Sequence, residues 1–513
     1  MESTAQLAAM DADELRVFAA RLMAEVADNQ RDIQLKQLRI DQLTHEMAVL
    51  KRLKFAASSE QVSAHQRFLF DETVEADIEA IVLELKALRH KEARQAPTQT
   101  PRRRPLPEHL PRTEVRHEPD STVCSCGCAM TRIGEDVSEK LDYRPGTFSV
   151  ERHIRGQWVC RPCTRLVQAP MPADIIDKGI PTPRLLAHVL VAKYLDHLPL
   201  YRLSGIYGRD GVPIPDATLA QWVGICGVHL RPLVDALRAL QLGRRVLHAD
   251  ETPVAMLAPG KGKTHKAYLR AHGTTPYDDD LKAVVYEFCM GRSGENPRRF
   301  LEGWSGQLVC DHYSGYTALF KGTITEVGCL AHARRKFHDL WVSKESPVAE
   351  EALQFFGAIY AVETHARELD VADRTRLRQI DTKPILTRFH DWLVLQRQRA
   401  TKGTPLAKAI DYSLKRWAAL TRFADDGDLP PDNNHLENRM RPIALGRSNW
   451  LFAGSLRAGQ RAAAVMTLIQ SAKLNGHDPY AYLVDVLTRL PTQPMRRIEE
   501  LLPHRWQPAA DHP

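Results

Sequence analysis

The chain has 513 residues, with 70 Lys plus Arg against 63 Asp plus Glu and a formal charge of +7. That length exceeds what one hydrophobic core serves, so several domains are expected, and the modest basic excess suits a polyanionic partner without requiring one. No apolar run reaches the ~20 residues that span a bilayer, and the opening MESTAQLAAMDADEL lacks the basic-then-apolar order of a secretion signal, which predicts a cytoplasmic protein with no membrane partner.

Residues 1–95 read as a leucine-zipper-like coiled coil. Between residues 12 and 50, Val26, Ile33, Ile40 and Met47 share one seam position and Leu15, Leu22, Leu43 and Leu50 the other, interrupted by Asn29 and Lys36. This predicts a homo-oligomer, most simply a dimer; the alternative is one amphipathic helix folded against the body. Residues 96–120 follow as a Pro/Arg-rich linker, in which APTQTPRRRPLPEHLP excludes helix and ladder. There Arg102, Arg103 and Arg104 are either a solvated charge cluster or a phosphate contact.

Five of the nine cysteines fall between Cys124 and Cys163, in CSCGC and CRPC knuckles separated by strand-like alternation. An odd count so clustered fits metal better than disulfides, and residues 121–170 are expected to form a zinc-ribbon-like module. Cys160 and Cys163 have the usual C-x-x-C spacing; Cys124, Cys126 and Cys128 do not, so which of these complete a four-thiolate Zn²⁺ site is open. Residues 171–245 are helical by pattern, with one helix ending near His197, another at Gly208 to Gly211 and a third starting after Pro215. That spacing allows a helix-turn-helix-like DNA-binding segment, though any small helical bundle has the same pattern.

After Arg245 the pattern turns to strands: VLHAD, KAYLRAHG, KAVVYEFCM and QLVCD. Three successive strands followed by a fourth bearing an acid is the order of a ribonuclease-H-like fold, with the first and fourth strands side by side. Asp250 and Asp311, closing the first and fourth runs, would then be neighbours, and Glu437 in NNHLENRMRP would reach them from a later helix. Such a trio of hard oxygen donors suits Mg²⁺ or Mn²⁺ and phosphoryl transfer. Taken singly, each acid is equally a surface charge, and Glu437 equally an i,i+4 partner of Arg441. The catalytic domain is set at 246–475, with a helical insertion at about 333–424 and a C-terminal tail at 476–513. Near the insertion's entrance, Cys329 and His332 form a C-x-x-H pair that is either packed or auxiliary to the site. Arg334, Arg335, Lys336, Arg439 and Arg447 are candidate phosphate contacts, with Arg441, Arg457 and Arg461 in the same basic block.

The blocks VLHADETPV, RSGENPRRFLEGWSGQLVCDHYSGY, GCLAHARRKF and NNHLENRMRPIALGRSNWLFAGS resemble those of transposases of the insertion sequence 66 family, in the DDE superfamily. The resemblance implies that Asp250, Asp311 and Glu437 are the catalytic acids of a bacterial transposase, nucleoid-associated when bound to DNA. It further implies binding to an element's terminal inverted repeats, cleavage there, and attack of the freed 3′-hydroxyl on target DNA, with small accessory proteins of the element as further partners. A catalytically idle DNA-binding remnant and a nuclease that cleaves without joining are the rival readings. The expected fold is thus multidomain α+β: an N-terminal coiled coil, a zinc-ribbon-like module, a helix-turn-helix-like segment and a ribonuclease-H-like core with a helical insertion.

Overall fold

The computed structural model describes residues 12–56, 64–88 and 106–508, apart from 109, 126, 145, 178, 259–262 and 345. Expectations for Cys126, for Arg102, Arg103 and Arg104, and for the side chains of Leu15 and Leu22 lie outside the described residues. Mixed α+β architecture is present, with two mixed sheets among long helices.

Two helices begin the chain, α1 (Ala12–Ala56) and α2 (Ala64–Leu88). Their contact splits the heptad seam. Leu43 and Leu50 are buried against Val74, Ile81 and Leu85 of α2, with Ile40 and Met47 alongside, whereas Val26 and Ile33 remain 53% and 65% exposed. The polar Asn29 and Lys36 interrupt the apolar stripe in its first half, leaving α2 a continuous surface only in the second.

Next comes a sheet of β1 (Arg112–His117), β2 (Thr131–Arg144), β3 (Thr147–Cys160) and β4 (Arg165–Gln168), in which β2 and β3 form a long antiparallel hairpin. The linker expected over 96–120 is therefore too long: RTEVRH pairs in parallel with β3, from Arg112↔Val150 to His117↔Arg155. At the hairpin's closed end Leu141, Tyr143, Phe148 and Val150 join the main core, while Ile133 and Val137 nearer the cysteines are exposed.

Helices α3 (Pro183–Tyr194), α4 (Leu200–Arg209) and α5 (Asp216–Gln241) follow close to their expected bounds. Thr182 caps α3 by accepting the Leu185 amide at 3.3 Å and donates to Asp142 of β2 at 2.6 Å, fastening helix to hairpin. The helix-turn-helix expectation for 171–245 fails on α5. A groove-reading helix needs an open face, yet Leu219, Trp222, Val223, Cys226, Leu230, Leu233 and Leu237 bury α5 within the core, beneath α2. At the α2–α5 crossing a Cβ on Gly224 would stand 2.3 Å from the Ala76 carbonyl oxygen, so only glycine admits that approach.

The second sheet holds β5 (Val246–Met256), β6 (His265–Gly273), β7 (Val284–Cys289), β8 (Gly306–Cys310) and β9 (Ile324–Gly328) in the order β7-β6-β5-β8-β9. Strands β5 to β7 are antiparallel, and β5, β8 and β9 are parallel. Alternation along the strands sends side chains to two cores. Leu247, Ala249 and Leu308 enter the main core, whereas Val246, Val309 and Val327 enter a second one built by the inserted helices. Those helices are α7 (Leu330–Lys344), α8 (Pro347–Ala366), α9 (Val371–Leu377), α10 (Lys383–Arg399), α11 (Pro405–Lys415) and α12 (Trp417–Thr421), preceded by a short α6 (Glu295–Phe300).

The chain then returns through α13 (Asn434–Trp450), α14 (Leu456–Leu474) and α15 (Pro479–Arg489). Residues from 476 onward are no tail: Tyr482, Leu483, Leu487, Leu501, Leu502 and Trp506 are buried in the main core. On the short helix capped by Asp478, Tyr482 with Val486 and Leu483 with Leu487 stand at i, i+4 and form an apolar face that seats against α3.

Helix α14 also holds the N-terminal helices. Arg461 donates to Asp77 of α2 at 2.9 Å with both side chains almost fully buried, Ser455 donates to the same carboxylate, and Arg457 pairs with Glu46 at 3.0 Å and with Glu84. Burial pushes the Asp77 carboxyl up while Arg461 pulls it down. Arg461→Met leaves that carboxylate buried without its cation and is expected to cost about 3–5 kcal/mol, with most of the loss recovered by pairing it with Asp77→Leu. Thermal unfolding of the three variants and protease sensitivity of α1–α2 check this.

Candidate active site

Asp250 does not close its strand, as its position after VLHA suggests; β5 runs on to Met256. What ends beside it is the partner strand. Parallel pairing of β5 with β8 stops at Ala249↔Cys310, so the next residue of each strand, Asp250 and Asp311, leaves the ladder at the same edge. Val246, His248 and Asp250 share the face turned toward the inserted helices. Each acid is held by backbone: Asp250 Oδ1 accepts the Glu251 amide at 2.9 Å, and Asp311 Oδ1 accepts the Tyr313 amide at 3.0 Å.

Glu437 comes from the first turn of α13. Burial, then Glu437 and Asp311 as like charges, push the Asp250 carboxyl up to about 8. Three carboxylates thus crowd one edge with less positive charge than they need. Glu437 Oε1 lies 3.4 Å from His332 Nδ1, yet both atoms are buried without a hydrogen-bond partner, and Oε2 lies 3.6 Å from Arg335. A hard divalent cation fits this donor set, because it supplies the missing charge and gives the orphaned oxygen something to coordinate.

Donor atoms of Cys329, His332 and Glu437 lie within 4.8 Å of one another. Cys329 is packed here: burial pushes its thiol up to about 12, and its sulfur accepts the Asn433 amide at 3.2 Å. His332 remains beside Glu437.

The basic residues divide. Arg334, Arg335 and Lys336 are exposed on α7 and Arg441 is exposed on α13, beside half-buried Arg439. Arg447 is not a free phosphate contact, since its guanidinium donates to the Pro253 carbonyl at 2.5 Å and ties α13 to β5. Arg457 and Arg461 are likewise committed, to the N-terminal helices.

Two neighbours of the acids escaped sequence reasoning. Glu251, on the opposite face of β5, accepts Arg292 at 2.8 Å and the Tyr316 hydroxyl at 3.1 Å, fixing the loop that follows Asp311. Asn433, fully buried, donates from Nδ2 to the Ala249 carbonyl at 3.0 Å and bonds His248 Nδ1 at 2.7 Å. The doubled asparagine at the start of α13 is a signal, but one that reads as an ordinary helix start.

In the cysteine module the sulfurs of Cys124, Cys160 and Cys163 lie within 4.8 Å of one another, with Cys124 and Cys163 at 3.5 Å. Cys128 packs against the same cluster, and its carbonyl accepts the Cys124 amide at 2.9 Å. Soft thiolates from two knuckles suit zinc.

Comparison with known proteins accords with this layout. Residues 178–461, more than half of the chain, match the family described as "Transposase IS66 family", and 467–504 match the "IS66 C-terminal element". Residues 121–164 match the "zinc-finger binding domain of transposase IS66". A region described as "Transposase C of IS166 homeodomain" matches 42–115, over the end of α1, α2 and β1 and not over α3 to α5. Two relatives come from Sinorhizobium fredii (strain NBRC 101917 / NGR234). The uncharacterised protein y4qI is 38% identical, the match covering 99% of this chain and 94% of that protein. For the uncharacterised protein y4hP the identity is 32%, over 92% of this chain and 89% of that protein. With four models of the family matched along one chain, the protein belongs to the insertion sequence 66 family of transposases.

Proposed function

We propose that this protein binds the terminal inverted repeats of its element and catalyses metal-dependent DNA cleavage and strand transfer, with Asp250, Asp311 and Glu437 as the catalytic acids. The observation that carries this reading is their meeting at one sheet edge with uncompensated negative charge. A sheet of order β7-β6-β5-β8-β9 with a parallel β5-β8-β9 half supports a ribonuclease-H-like core. Bound Mg²⁺ or Mn²⁺ would supply Lewis-acid stabilisation of the attacking and leaving oxygens of an in-line displacement. The residues themselves do the placing. Backbone amides of Glu251 and Tyr313 aim Asp250 and Asp311, and the first turn of α13 brings Glu437 to them. Exposed Arg334, Arg335 and Lys336 offer charge for the DNA backbone beside the acids, with Arg441 and Arg439 on α13.

Cys124, Cys128, Cys160 and Cys163 form the zinc site, and its module together with the region at 42–115 contacts the repeats. A second copy of the chain covers the exposed α1 seam around Val26 and Ile33, giving a dimer. Strand transfer of pre-cleaved element ends with Mg²⁺ or Mn²⁺ tests the proposal: joined product is expected, and DNA binding without joining would sink it in favour of an idle binding protein.

A pH dependence follows. With its carboxyl near 8 in the metal-free protein, Asp250 must lose a proton to become a ligand, so Mn²⁺ affinity should tighten as pH rises from about 6 and level off above about 8, by up to ~tenfold per pH unit. The same shift makes metal-free stability fall as pH rises from the unfolded value of 3.8 toward about 8, because the folded state holds the extra proton. Calorimetric Mn²⁺ titration at several pH values checks the sign.

A further inference from the structure

Asparagine at a helix N-cap normally turns its side chain onto the amides of the first turn, a contact worth about 1 kcal/mol. Asn433 stands at the N-cap of α13 and makes no such bond. Its carboxamide instead points away from its own helix, into β5. Nδ2 donates to the Ala249 carbonyl at 3.0 Å, which leaves Oδ1 to accept from His248 Nδ1 at 2.7 Å. His248 is wholly buried, and because the carboxamide oxygen can only accept, this bond also fixes a proton on Nδ1. The main chain of the same residue completes the junction: its amide donates to Cys329 Sγ at 3.2 Å, and its carbonyl accepts the amides of Leu436 and Glu437 at 3.0 Å each.

Three chain segments meet in this one residue. Ala249 immediately precedes Asp250, Cys329 opens the turn that presents His332, and Glu437 is bonded to it directly. We infer that Asn433 is a positioning residue of the active site, a clasp that sets the separation of Glu437 from Asp250 and so the affinity of the acids for divalent metal. This deepens the proposed function and rests on its reading of the acids as ligands. A capping role would have kept the side chain on α13, and a packing role would not need both polar atoms satisfied at separate places on another strand.

Asn433→Ser separates positioning from stability. Serine is as good an N-cap as asparagine, so α13 keeps or gains local support, but its hydroxyl is too short to reach the Ala249 carbonyl. The experiment is calorimetric titration of Mn²⁺ into the full chain, comparing the unsubstituted protein with Asn433→Ser, Asn433→Ala, Asp250→Asn and Glu437→Gln, with zinc content and cooperative thermal unfolding verifying the fold of each. Half-saturation of Asn433→Ser is expected to rise about tenfold or more, the range typical when a residue orienting a ligand is lost, and joining of pre-cleaved ends should return at high Mn²⁺. Half-saturation within twofold of the unsubstituted protein overturns the clasp. Should Asn433→Ser misfold, Asn433→Ala is read by the same criterion. If Asp250→Asn and Glu437→Gln also bind Mn²⁺ unchanged, it is the assignment of the acids as ligands that falls, and the clasp falls with it.

Discussion

Glu437→Gln is expected to reduce joining of pre-cleaved ends by on the order of 10³-fold or more while end binding stays within about twofold. The substitution is isosteric and removes only charge and one ligand oxygen. Glu437 is half-buried in the first turn of α13, with His332 at 3.4 Å and Arg335 at 3.6 Å, and its side chain belongs to neither apolar core. The change is also expected to lower the Asp250 carboxyl from its raised value, since Glu437 is the largest of the like charges acting on it. A gel assay of joined product beside a shift assay on the same DNA separates chemistry from binding. Joining that survives in Glu437→Gln would remove this residue from the catalytic set.

Loss of zinc should be the largest structural effect, and a local one. Cys160→Ser removes a buried sulfur at the centre of the cluster with Cys124 and Cys163, and structural zinc contributes about 10–16 kcal/mol to the folding of small modules. Among the described residues, the buried cluster around the knuckles is Cys124, Met130 and Cys160, with Cys128, Trp158 and Val167 partly covered, too little apolar area to hold without metal. The other end of the same hairpin is rooted in the main core through Leu141, Tyr143, Phe148 and Val150. Hydrogen exchange should therefore rise over 118–138 and 155–168 in Cys160→Ser while β5, β8 and α13 stay protected, and zinc content should fall to zero per chain. Global unfolding instead would mean that the module supports the core.

The same distinction between local and distant causes explains what could be read in advance. Short apolar runs before an acid located β5 and β8 and put Asp250 and Asp311 beside their paired stretch, because strands buried on both faces read as nearly continuous apolar runs. The C-x-x-C pair, the helical run from 333 to 424, the ends of α3 and α4 and the start of α5 are equally local, and the helices appear close to where the pattern puts them. What escaped the local pattern shares one character. Arg447, Arg457 and Arg461 belong to a basic block by composition, yet the partners they hold, Pro253, Glu46 and Asp77, lie 194, 411 and 384 residues away in sequence. A zipper seam gives no sign that α2 covers half of it, and an amphipathic helix at 479–489 gives none that α3 awaits it.

By itself the sequence determined the chemistry the chain carries: three acids, a thiolate cluster and a basic block, each in a segment whose periodicity fixed its local structure. Only the tertiary structure decided which charges face outward and which bind the modules together, how the Asn433 side chain turns from its helix to β5, and where Glu437 stands against Asp250. Those outcomes depend on contacts between segments far apart in the chain, which no local spacing encodes.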